Sequence, residues 1–239
     1  MSHREEGVAL FYGSANVVMQ MLLRGIARWR VEGRGNVPPR GPLIVVSNHS
    51  SNVDPPLVGA SLPRLVHFLA KPGLFEPVLF RPFIRAYGAV PAYRRSGYPA
   101  GFERALELLQ QDKVLGIFPE GSRNKGQLKR AMPGVALVAL RSGAPILPVA
   151  ITGTEQVRHL RRLFTRPKIT VRIGEPFSLP LVEGRVGKAQ LTSMTDLIME
   201  RVAALLPDSY RGYYAIRPRE RAPQEDPMPP KPVSNDVGP

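Results

Sequence analysis

Four histidines and no cysteine limit the catalytic groups available to this 239-residue chain. Without a thiol there is no cysteine nucleophile, no disulfide framework and no thiolate zinc site. His3 is terminal, His67 sits inside an apolar run and reads as a satisfied core histidine, and His159 lies among Arg158, Arg161 and Arg162, cations that disfavour a protonated base. His49 is different. It follows the apolar run PLIVVSN and opens a loop that ends at Asp54. A spacing of five does not return to one helical face, because a turn takes about 3.6 residues. The pair works if His49 lies in the loop and Asp54 caps a helix whose first position is Pro55. The carboxylate then turns back onto Nδ1, fixes the tautomer and leaves Nε2 to take a proton. Spacing alone leaves two plainer roles open, an N-cap for Asp54 and a loop histidine for His49.

A second candidate is Phe118-Pro119-Glu120-Gly121-Ser122-Arg123, where an apolar run enters a glycine-containing turn. Arg123 has the fork geometry to grip a phosphate, and Gly121 allows close backbone approach. A Glu–Arg structural pair in a tight turn is the plainer reading of the same residues.

Both candidates need elements that present them together. Residues 42–47 (PLIVVS) form a β-branched run of the kind that makes a strand buried on both faces. Residues 65–70, 89–93, 114–118 and 145–151 repeat the pattern, and 168–173 (KITVRI) alternates like a strand nearer an edge. Helical stretches fall between them, at 77–87, 98–111, 133–141 and 188–206. This alternation predicts an α/β domain over 33–216, with a mostly parallel central sheet flanked by helices. In such sheets chemistry gathers at the carboxyl ends of strands, which is where both candidates fall.

The flanks read differently. Residues 7–23 carry no charge, although Gly13, Ser14, Asn16 and Gln20 interrupt the apolar run. Arg24, Arg28, Trp29 and Arg30 follow, a basic and aromatic edge suited to lipid headgroups. Residues 8–30 are therefore expected to form one or two helices in a membrane interface, within an amphipathic segment 1–32. A core-packing helix is the alternative, and no cleavable signal pattern is present. The tail, 217–239, has seven prolines in 23 residues and is expected to be disordered.

Charge narrows the partner. Lys and Arg number 33 against 19 Asp and Glu, for a net charge of +14. That excludes an acidic or calcium-binding protein and leaves nucleic acid, an anionic membrane or a phosphorylated substrate. The tail is neutral, whereas residues 121–172 hold eleven basic residues against one acidic. Aromatic residues make up 7% of the chain, thin for stacking on single-stranded bases.

Taken together, the motifs resemble those of the glycerolipid acyltransferases, the 1-acylglycerol-3-phosphate acyltransferase family. Asn48–Asp54 (NHSSNVD) is similar to that family's N-H-x4-D block, and FPEGSR to its FPEG-[ST]-R block. In the same order, residues 88–94 (GAVPAYR) resemble the intermediate block and residues 144–150 (APILPVA) the fourth. The likeness covers about residues 30–180. Two departures stand out. Tyr93 replaces the acidic residue that usually precedes the intermediate arginine, so Arg94 or Arg95 takes that role, Arg94 fitting the spacing better. Met132 stands where a lysine is common ahead of Pro133 and Gly134.

The resemblance implies acyl transfer from a thioester, acyl-CoA or acyl carrier protein, to the free hydroxyl of a lysophospholipid at a membrane surface. His49 and Asp54 would be the catalytic pair, and Arg94, Glu120, Gly121, Ser122 and Arg123 would hold the acceptor's glycerol phosphate. No metal or bound cofactor is implied, and nucleic acid is not an expected partner. The expected place is the cytoplasmic side of the cell membrane, peripheral or monotopic. A different lyso-lipid acceptor, such as a lyso-ornithine lipid, is the nearest alternative, and a non-catalytic basic binding protein the more distant one.

Overall fold

The computed structural model describes residues 16–17, 19–21, 23–70, 73, 76, 88–91, 101–158, 165–180 and 186–215. Seven strands form one sheet: β1 (Arg28–Glu32), β2 (Leu43–Ser47), β3 (Val66–Ala70), β4 (Ala89–Pro91), β5 (Val114–Ile117), β6 (Ile146–Thr152) and β7 (Lys168–Ile173). Their order across the sheet is β1-β7-β6-β2-β5-β3-β4. All neighbouring pairs are parallel except β6 and β7. The expected α/β domain with a mostly parallel sheet is what forms.

β2 shows why its sequence carries no polar alternation. Ile44 and Val46 join one core with helices α2 (Phe102–Gln110), α3 (Gly134–Ser142) and α4 (Lys188–Ala204). Leu43 and Val45 join the opposite core with α1 (Asp54–Ser61) and with Leu23 and Ala27. A strand covered on both faces reads as a near-continuous apolar run, here Leu43–Val46 ahead of the buried Ser47. Helix α2 instead sees the sheet on one face only, burying Phe102, Ala105, Leu108 and Leu109 at helical spacing.

β1 departs from the sequence reading. Residues 28–30 were expected to end a helix, yet Arg28–Glu32 pairs in register with Lys168–Arg172 of β7. The sequence RWRVE has a period of two, with Trp29 and Val31 packed on the core and Arg28 and Arg30 exposed. Among the described residues of this segment, 16–17, 19–21 and 23–26 are helical, and the helix stops where Ala27 donates to Leu23 O (2.9 Å). The helix expected at 77–87, most of the N-terminal segment and the tail 217–239 lie outside the described residues.

Candidate active site

β2 and β5 are hydrogen-bonded neighbours running in the same direction, with Val46 opposite Ile117. Their following loops therefore leave the same edge side by side, which brings residues 71 positions apart in sequence into contact. The His49 amide donates to Glu120 Oε1 at 2.9 Å. Asn48 pins the strand end: its side chain donates to Ile151 O (2.8 Å) and accepts from Ile151 N–H (2.7 Å) on β6.

Asp54 opens α1, with Pro55 and Pro56 in the first turn, where a fixed φ and a missing N–H suit the helix start. Its carboxylate is fully buried. Oδ2 accepts from the amides of Ser50 (2.6 Å) and Ser51 (2.7 Å) and from His49 Nδ1 (2.9 Å). Because an ionised carboxylate only accepts, Nδ1 carries the proton and Nε2 is left with its lone pair. Oδ1 has no hydrogen-bond partner among the described residues. The imidazole keeps 18% of its surface exposed and lies on the Phe118 ring, centroids 4.4 Å apart, with Phe118 in turn stacked on Phe68 at 5.6 Å. The pair expected from spacing is formed, and its ring is held on both an edge and a face.

The FPEGSR turn divides into a buried and an exposed half. Gly121 adopts φ +67°, and a Cβ there would run into Met132 Cε. Gly121, Ser122 and Arg123 are exposed. Lys129 Nζ donates to Arg123 O (2.6 Å) and Ser122 Oγ (3.1 Å), stiffening the rim. Among the described residues the Arg123 guanidinium is unpaired.

Glu120 belongs to the buried half, and it differs from the expectation of a contact with the acceptor phosphate. Both carboxylate oxygens are taken by the chain's own donors: His49 N–H, Asn124 Nδ2 (2.8 and 2.9 Å) and Lys129 N–H (2.8 Å). Burial pushes its pKa up while these donors pull it down. Asn124, absent from the sequence reading, completes the frame. Its backbone N–H donates to His49 O (2.6 Å), and its Oδ1 accepts from Ser50 Oγ (2.7 Å) and Gly126 N–H (2.9 Å). Nothing in the run RNKG singles this asparagine out. Arg94 and Arg95 lie outside the described residues; β4 reaches the common edge at Pro91.

A buried carboxylate orients a partly exposed histidine through Nδ1. Built on a mostly parallel α/β sheet, this arrangement can chemically take a proton from an incoming hydroxyl. A family model described as Acyltransferase matches residues 28–152, just over half of the sequence. The chain belongs to that family and is an acyltransferase. The 1-acyl-sn-glycerol-3-phosphate acyltransferase of Bacillus subtilis is 28% identical over 198 residues, covering 82% of this chain and 95% of the relative. The bovine 1-acyl-sn-glycerol-3-phosphate acyltransferase alpha is 29% identical over 192 residues, covering 70% of this chain and 64% of the relative. The crystal structure of the 1-acyl-sn-glycerophosphate (LPA) acyltransferase PlsC from Thermotoga maritima superposes with a TM-score of 0.68 at 24% identity, over 86% of this chain and 82% of that one.

Proposed function

We propose that this chain moves a fatty acyl group from a thioester, acyl-CoA or acyl carrier protein, to the free hydroxyl of 1-acyl-glycerol-3-phosphate, giving phosphatidic acid. The observation that carries the reading is the 2.9 Å bond from His49 Nδ1 to Asp54, which leaves Nε2 free beside an exposed arginine turn. His49 Nε2 takes the hydroxyl proton, and the oxygen attacks the thioester carbonyl carbon. The tetrahedral intermediate collapses with cleavage of the C–S bond, and the imidazolium returns the proton to the leaving sulfur. Asp54 stabilises the imidazolium between the two steps. Ser122 and Arg123, with Arg94 from the intermediate block, hold the acceptor phosphate.

The acceptor partitions into a bilayer, so the enzyme meets it at the membrane surface, cytoplasmic side. No helix among the described residues is long and apolar enough to cross a membrane. Val17 and Met21 are 50% and 65% exposed, which supports a helix lying on lipid.

Thioester-release kinetics with lysophosphatidate and with a phosphate-free acceptor, for wild type and Arg123→Ala, test the reading. The expected result is a preference for lysophosphatidate that Arg123→Ala removes by raising acceptor KM about tenfold or more, the scale of a lost charge-assisted bond. Equal use of both acceptors by wild type would overturn the phosphate assignment.

A further inference from the structure

The N-terminal helix turns two polar side chains, together with apolar ones, toward the body of the protein. Asn16, Gln20, Leu23 and Ala27 point toward the body, while Val17 and Met21 are exposed. The two polar residues have a task. Asn16 Nδ2 donates to Gly59 O (3.3 Å) and Gln20 Nε2 to Ala60 O (3.0 Å), across 43 and 40 residues of chain. Arg34 adds two more bonds, Nε to Ser61 O (2.9 Å) and Nη2 to Ala60 O (3.1 Å). All four bonds fall on the last carbonyls of α1, the helix whose first residue is Asp54.

The end of a helix leaves its final carbonyls without intrahelical partners, and water supplies them when the end is exposed. α1 has no such recourse, because Leu57, Val58, Gly59, Ala60 and Ser61 are all buried. At eight residues it is also too short to be stable by itself. Donors from elsewhere must hold its carboxyl end, and so fix the axis along which Asp54 meets His49.

We infer that Asn16 and Gln20 are positioning residues for acyl transfer: the N-terminal helix is a strut that sets α1, and through it Asp54, as well as a surface for lipid. The same helix thereby joins its exposed apolar face, Val17 and Met21, to the catalytic pair. This rests on the reading of His49 and Asp54 as that pair.

Substituting leucine separates the strut from the anchor, since it removes the donor and makes the helix more apolar. Gln20→Leu should bind phosphatidylglycerol–phosphatidylethanolamine vesicles as well as wild type or better. With a water-soluble short-chain lysophosphatidate and no vesicles, kcat should fall about 10- to 100-fold, as small misplacements of catalytic groups do, with both KM values unchanged. Gln20→Lys, which restores a donor at the same place, should recover most of the loss. Arg34→Met, outside the helix, should reproduce the kcat signature, and melting temperatures report whether each variant is folded. The His49 Nδ1–H proton resonance should shift in Gln20→Leu independently of turnover. Wild-type kcat and an unmoved resonance in both Gln20→Leu and Arg34→Met would overturn the strut. A His49→Ala variant that keeps its activity would instead overturn the catalytic pair, so the two failures are distinct.

Discussion

Glu120, expected to help hold the acceptor phosphate, is bound by the chain's own donors. Its carboxylate faces inward and accepts four hydrogen bonds from His49, Asn124 and Lys129. Its charge is spent holding the His49 loop against the FPEGSR turn. Replacement by glutamine puts an N–H2 among donors that need an acceptor, so Glu120→Gln should lower stability by about 1–3 kcal/mol, the cost of unmatched buried polar groups. Activity should fall in kcat with acceptor KM unchanged, the opposite of Arg123→Ala; urea denaturation and initial-rate kinetics read both. A raised KM in a fully stable Glu120→Gln protein would return Glu120 to the substrate. The sequence made His49, Asp54 and the FPEGSR turn legible because backbone spacing and strand ends constrain them. Asn124 was not legible, because its partners are brought to it only when β2 and β5 pair.

At the scale of elements, the buried strands were the most legible feature. Runs such as LIVVS and ILPVAIT have no polar face to confuse with a surface helix, and KITVRI was bounded correctly at Lys168–Ile173. β1 was missed because five alternating residues follow directly on an apolar helix, and local pattern gives no sign of the distant β7 that receives them. Gly116 in β5 shows a finer dependence. It sits opposite Phe68 in register, and a Cβ there would overlap the Phe68 ring. That close approach lets Phe68 lie flat beneath Phe118, and Phe118 beneath His49. Gly116→Ala therefore should overpack the strand by about 1–3 kcal/mol and tilt the stack that carries the imidazole. A drop in kcat should accompany the lower denaturation midpoint. A variant equally active per folded molecule would show that the stack does not position His49.

Across the whole molecule the net charge is +14, and in sequence residues 121–172 carry eleven basic residues against one acidic. A half-buried histidine on β3 links stability to pH. His67 on β3, expected to be a satisfied core histidine, has Nδ1 buried without a partner among the described residues. Burial first, then the cations Lys113 and Arg104, push its pKa down to about 4, against the opposing pull of the Gly88 carbonyl. In the native state the ring stays neutral between pH 6.5 and about 4, whereas in the unfolded chain it gains a proton throughout that window. The stability linked to His67 is thus complete above pH 6.5 and is lost progressively as pH falls toward about 4. The full change is about 3 kcal/mol, at 1.36 kcal/mol for each unit of displacement. Carboxylates titrate in the same range, so the wild-type curve alone does not isolate the histidine. His67→Leu removes that one contribution and leaves the carboxylates in place. The difference in urea-derived stability between His67→Leu and wild type should therefore shift in favour of the variant as pH drops from 7 to 4.5. A pH-independent difference across that interval would show that His67 is protonated as readily in the folded protein as in the unfolded one.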